Sequence, residues 1–210
     1  MSTRNRAHDV LAFWFGPRPW TPASVQRRFA LWFGDPVRPE LTPQVDEAIR
    51  VRYGPLAEDA ARGGLAAWES SPRRRLALIL LLDQFPRSIH RGAAAAFAGD
   101  ARALSLAITG LQLGADAVLE PIERIFFCMP LQHAESLEVQ EESIAAFRRL
   151  RDEADPQFHA LLAEVCRYAE QHRDIVAEFG RFPHRNAVLG RESTPEERAW
   201  LEAGGQRFGQ

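Results

Sequence analysis

Residues 155–179, Asp155-Pro156 followed by QFHALLAEVCRYAEQHRDIVAEF, decide the fold class. Phe158, Leu161, Leu162, Val165, Ala169, Ile175, Val176 and Phe179 recur with the 3.6-residue period of one helix face, over about 24 residues. Asp155-Pro156 marks the start: Pro at a first helical position gives up an N–H that has no helical acceptor, and the residue before it can accept from the next free N–H groups. The same punctuation recurs at Thr21-Pro22, Thr42-Pro43, Ser71-Pro72 and Thr194-Pro195, and Thr194-Pro195-Glu196-Glu197 completes a capping box.

Working outward from this stretch, Leu137, Ile144, Phe147 and Leu150 form a second stripe. From Pro72 the apolar run Leu76–Leu82 covers every face, which predicts a central helix. Asp100 can cap a helix reaching Leu113, Pro121 can open one reaching Cys128, and Val10–Phe15 and Val25–Phe33 suit two more. The sequence has no alternating strand pattern and no Asn-Gly hairpin. The prediction is an all-α single domain over residues 1–210, of about eight to ten helices joined by short connections. Short connections favour antiparallel neighbours stacked as an α–α superhelix.

Composition excludes more than it selects. Acidic residues number 28 and basic ones 26, for a net charge of −2, which argues against nucleic acid or an anionic membrane surface as partner. Every basic residue is Arg. The absence of Lys removes Schiff-base and P-loop chemistry, and leaves each cationic contact to a planar, two-pronged guanidinium. Cys128 and Cys166 form no metal or disulfide motif. The aliphatic runs are too short to span a bilayer, and Val10–Phe15 is too short for a secretory signal, so a cytoplasmic location is expected.

Polar residues interrupt three apolar stripes. Asp83 follows Leu76, Ile79 and Leu80, Gln140 lies between Leu137 and Ile144, and His172 lies between Ala169 and Ile175. A buried polar group costs a few kcal/mol unless bonded, so these three demand partners: each other, a loop backbone or a ligand. Two stretches read as loops carrying Phe-Pro followed by Arg and His: Asp83–Gly92, with Arg87 and Arg91, and Phe179–Arg191, with Arg181, His184, Arg185, Asn186 and Arg191. The second packs four cationic or imidazole side chains, Arg181, His184, Arg185 and Arg191, into eleven residues with no acid among them. It requires carboxylates from elsewhere, with Asp83, Glu123, Glu135 and Glu178 available, or an anionic ligand. Arg75, in the first turn of the central helix, is a further candidate for that site. His133 and Glu135 stand two apart, where Glu135 could orient His133 as a general base; the spacing implies no metal and no cofactor.

The segments FWFG, LALILLLDQFPRSIHRG, MPLQHAESLEVQ and FGRFPHRNAVLGRESTPEE resemble the bacterial family labelled domain of unknown function 924, from about Val10 to Leu201. The resemblance implies a tetratricopeptide-like superhelix and no established activity. It carries over motif positions at Asp83, Gln84, Arg87, Arg91, His133, Glu135, Gln140, His172, Arg181, His184, Arg185, Asn186 and Arg191. Cys128-Met129 departs from the aromatic or aliphatic pair expected before Pro130. Three functions stand open: binding of a small anion, a carboxylate or phosphate, or an acidic peptide in an Arg- and His-lined pocket; a small hydrolase whose base is His133 or His184, oriented by Asp83 or Glu135; and a purely structural polar cluster.

Overall fold

The computed structural model describes residues 3–35 and 37–208. Among them are ten α-helices and no strand. The helices are α1 (Thr3–Phe15), α2 (Pro22–Gln26), α3 (Phe29–Phe33), α4 (Thr42–Ala61), α5 (Pro72–Ile89), α6 (Asp100–Gln112), α7 (Pro121–Gln132), α8 (Leu137–Glu153), α9 (His159–Phe179) and α10 (Pro195–Glu202). Five carry Pro in the first turn, as the sequence indicates. The caps are more varied than predicted. Thr21 and Thr194 close capping boxes, with Glu197 N–H donating to Thr194 Oγ1 at 3.2 Å and Thr194 N–H to Glu197 Oε2 at 2.8 Å. Thr42 instead lies inside α4 and Ser71 makes no side-chain cap, while Asp155 caps the 3-10 turn that leads into α9.

α5 runs through the middle. Leu76 to Leu82 are all sealed from solvent, and α1, α4, α6 and α7 pack around them. Each fully buried Leu or Ile contributes about 2 kcal/mol of transfer free energy. Helices adjacent in sequence from α4 to α9 also pack against one another. A cage of rings joins α1 to α5 and α7: Trp14 lies 5.2 Å from Phe85 and 5.6 Å from Phe126. No helix of the described residues is long and apolar enough to cross a membrane.

One expectation is corrected here. Asp83–Ile89 is not a loop but the last turns of α5, and Phe85 is buried within that helix. Pro86 sits inside the helix, where its missing N–H deprives the Leu82 carbonyl of its helical donor. The backbone of Gly99 packs against that carbonyl so closely that any Cβ at 99 would overlap it. This contact sets Asp100, the first residue of α6, beside the end of α5.

The candidate functional site

The cluster forms where the C-terminal ends of α5 and α7, the start of α6, the middle of α9 and residues 181–191 meet. All three polar interruptions are buried: Asp83 and Gln140 are 0% exposed and His172 is 3% exposed. Each has found partners. His133, the C-cap of α7, donates from Nδ1 to Asp83 Oδ1 at 2.7 Å. Gln84 Nε2 donates to the other Asp83 oxygen and to Met129 Sδ at 3.2 Å. Gln140 Nε2 donates to two carbonyls of the turn after α7, Gln132 O at 2.8 Å and Ala134 O at 2.7 Å, and so fixes that turn. His172 Nδ1 lies 2.7 Å from Tyr168 O, which can only accept; its Nε2 therefore carries the lone pair and faces Gln132 Nε2 at 3.5 Å.

A chain of charges runs through the centre. Arg87 holds both oxygens of Asp100 at 3.0 Å, donates to the Asp83 carbonyl and lies 3.4 Å from Asp83 Oδ1. Arg185 Nη1 donates to His133 O at 3.1 Å and reaches Asp100 only at 3.5 Å. Its Nε has no partner, and its guanidinium lies between the rings of Phe97, at 4.8 Å, and Phe182, at 4.6 Å. Glu135 does not orient His133. It accepts from Phe182 N–H at 2.8 Å and from both Nη atoms of Arg191 at 2.6 and 2.9 Å, so it ties the 181–191 loop to the end of α7.

Burial sets the protonation states. Burial alone would raise Asp83, but the facing Arg87 and His133 and the bonds from His133 and Gln84 outweigh it and hold the carboxyl well below its usual range. Burial lowers His133 despite the attraction of Asp83, so the ring is neutral near pH 7, with the proton on Nδ1 and a lone pair on Nε2. Asp100 is raised by burial and by Asp83. Burial, then the like charge of Arg87, brings Arg185 down to about 10, which still leaves it cationic. His172 falls well below 6.5 through burial, and His184 falls to about 4 through burial and the Arg185 charge. Neither ring nitrogen of His184 has a partner.

Other sequence candidates are engaged elsewhere. Arg91 clasps Asp46 of α4 at 2.6 and 3.0 Å. Arg181 grips Glu197 of α10 at 2.7 and 2.9 Å, and Asn186 donates to the same carboxylate at 3.0 Å. Arg75 does not face the anionic site. It is buried and clamps the Leu106 and Glu69 carbonyls, at 3.1 and 2.6 Å, which spends its fork on backbone. Glu123 meets Arg73 at 2.6 Å and Arg18 at 3.2 Å, and so does not serve the 181–191 loop. Two surface cavities, of about 440 and 550 Å³, flank Arg18 and Trp20 and include none of the predicted site residues.

The family model described as a bacterial protein of unknown function, DUF924, matches residues 10–205. The chain belongs to the DUF924 family. A solved structure of the protein of unknown function ATU0120 from Agrobacterium tumefaciens is similar over 97% of this chain and 100% of that one, with 34% identity and a TM-score of 0.79. No curated protein matches the chain. In this DUF924 chain the centre also includes two residues that the sequence did not flag as site residues, Asp100 and Gln132. Asp100 read only as a helix cap, and its carboxylate is taken by Arg87 instead. Gln132 carried no reading of its own, because the helix opened by Pro121 was expected to reach only Cys128; α7 runs on to Gln132, and the run Ile125–Leu131 before it is buried on every side.

Proposed function

We propose that the cluster binds the anionic group of a small molecule, a carboxylate or phosphate, against Arg185. The observation that carries this reading is the under-satisfied guanidinium. The Arg185 side chain is 6% exposed, yet both of its polar contacts use Nη1, one of them at 3.5 Å to a carboxylate that Arg87 already holds with two bonds. A buried charge costs several kcal/mol unless it is well paired. The free Nε edge matches the two oxygens of a carboxylate or phosphate, and Phe97 and Phe182 hold the plane in place for it. Arg87, His133, Glu135 and Arg191 border the same region and keep between about a tenth and a quarter of their side-chain surface open.

The helices that pack in sequence order support a tetratricopeptide-like α–α superhelix, formed as one domain. The candidate groups converge from helix ends, the middle of α9 and the 181–191 loop rather than lining an extended groove, which favours a small molecule over an acidic peptide. The buried, unpaired thiols of Cys128 and Cys166 suit a reducing, cytoplasmic setting.

A specific observation favours a second, catalytic reading. Asp83 orients His133 so that Nε2 is free to take a proton, which is the arrangement of a general base. Water deprotonated there would attack an acyl or phosphoryl centre whose developing charge Arg185 holds, with the leaving group departing protonated. Thermal unfolding with acetate and inorganic phosphate tests the binding reading. The parent should gain melting temperature with either anion, while Arg185→Met should gain none and keep its ligand-free melting temperature within a few degrees. A collapse of Arg185→Met without ligand would assign the cluster a purely structural role. His133→Gln should keep the anion response and lose any ester hydrolysis.

A further inference from the structure

The imidazole of His172 is stacked. The ring of Phe208 lies on it with centroids 3.5 Å apart and planes 18° apart, and His184 stands edge-on to the same ring at 5.8 Å. Phe182 closes the group, 5.6 Å from His172 and 5.5 Å from His184, and its own face carries the Arg185 guanidinium. The Phe208 ring thus fills a flat aromatic slot that shares a wall with the candidate anion position. The segment that delivers it is weakly held. After Gly205 N–H donates to Trp200 O at 2.9 Å, the backbone of residues 206–208 makes no hydrogen bond among the described residues. Phe208 is also the one non-glycine residue among them with a left-handed backbone, at φ 49°. That conformation is disfavoured for a residue with a Cβ.

We propose that this slot seats a planar aromatic ring belonging to the bound anion, and that Phe208 holds the seat until the ligand displaces it. The ligand class is then an aromatic or heteroaromatic acid, with its ring on His172 and its carboxylate or phosphate toward Arg185. The inference rests on the Arg185 reading for the anionic end and on the stacked rings alone for the aromatic end. His172 suits the role: its Nδ1 proton is spent on Tyr168 O and its face is neutral, so a phenyl or heterocyclic ring stacks without desolvating a charge.

The test compares benzoate with acetate, which differ only by the ring, on the full chain and on Phe208→Ala. Removing the occupant should tighten benzoate about tenfold and leave acetate within about twofold. In the parent, the His172 ring protons should be shifted upfield by the Phe208 ring current. They should lose that shift in Phe208→Ala and regain it when benzoate is added. Equal affinity for the two anions in Phe208→Ala, with His172 unmoved by benzoate, would overturn the slot and leave the anion position standing. If neither anion saturates the parent or the variant, the Arg185 reading falls. Benzyl alcohol then decides the slot by itself: return of the His172 shift supports it, and no return overturns it.

Discussion

Replacing His184 by Phe asks whether this imidazole lives uncharged in the wall of the cluster. Its ring lies 5.5 Å from Phe182 and 5.8 Å from Phe208, and neither nitrogen is bonded. Burial, then the neighbouring Arg185, lowers its pKa from 6.5 to about 4. As pH falls, the unfolded chain takes up this proton near 6.5 and the folded chain only near 4. The stability is therefore complete above 6.5 and is lost on acidification through that window. Integrated over the two protonation curves, the loss from this one group is about 2 kcal/mol by about pH 5 and about 3 kcal/mol by about pH 4. A phenyl ring is somewhat larger, but position 184 is only partly buried; the replacement breaks no hydrogen bond and cannot titrate. His184→Phe should match the parent within about 1 kcal/mol near pH 8 and exceed it by about 2 kcal/mol near pH 5. Urea midpoints from about pH 8 to 4.5, with the slope checked for constancy, read this directly. His133 titrates in both proteins and cancels in the difference, and His172, which the His184 charge opposes, cancels where His184 is uncharged, which covers most of this range. Parallel profiles for parent and variant would refute the buried, uncharged assignment. A large loss near pH 8 would show that the imidazole makes bonds that matter.

Asp83→Asn should cost about 3 kcal/mol at neutral pH, because it removes the second carboxylate facing Arg87 and leaves Asp100 alone to balance both Arg87 and Arg185. Asp83 has a depressed pKa, so its stabilisation is present above the ordinary carboxylate range and lost as pH falls below it, and the variant should show less acid sensitivity there. Gln140→Leu should cost about 2 kcal/mol, because the Gln132 and Ala134 carbonyls lose their donor; denaturant midpoints check both substitutions. Glu135→Gln should weaken the tie between α7 and the 181–191 loop, with about 1 kcal/mol lost and faster hydrogen exchange at the Phe182 amide. An unchanged Phe182 exchange rate would contradict the role given to Glu135.

The helices were legible because local signals agree. The α9 stripe, the Pro starts and the all-apolar run of α5 each state their element without help from distant residues. Polar interruptions were equally legible: a charged or amide group on an apolar face must be buried and bonded, and Asp83, Gln140 and His172 are. Partners were harder to read. Sequence proximity suggested Glu135 for His133, yet the helix ends bring Asp83, fifty residues earlier, to 2.7 Å. Asp83–Gly92 read as a loop because Pro disfavours helix at the residue before it, and here the helix continues through Pro86 while Gly99 packs on the freed carbonyl. Asp100 was hidden because a first-turn acid already has a sufficient local reason. Glu197 was legible as part of a capping box, but its bonds with Arg181 and Asn186 depend on the path of the 181–191 loop, which no local pattern specifies.

The most direct measurement is the arginine Nε–H spectrum of the full chain, with the Arg185 signal assigned by its loss in Arg185→Met, during titration with inorganic phosphate and acetate. The account predicts a saturable shift of the Arg185 Nε–H as an oxygen takes up its unused bond. An Arg185 signal that stays fixed while exposed arginines drift without saturation would contradict it.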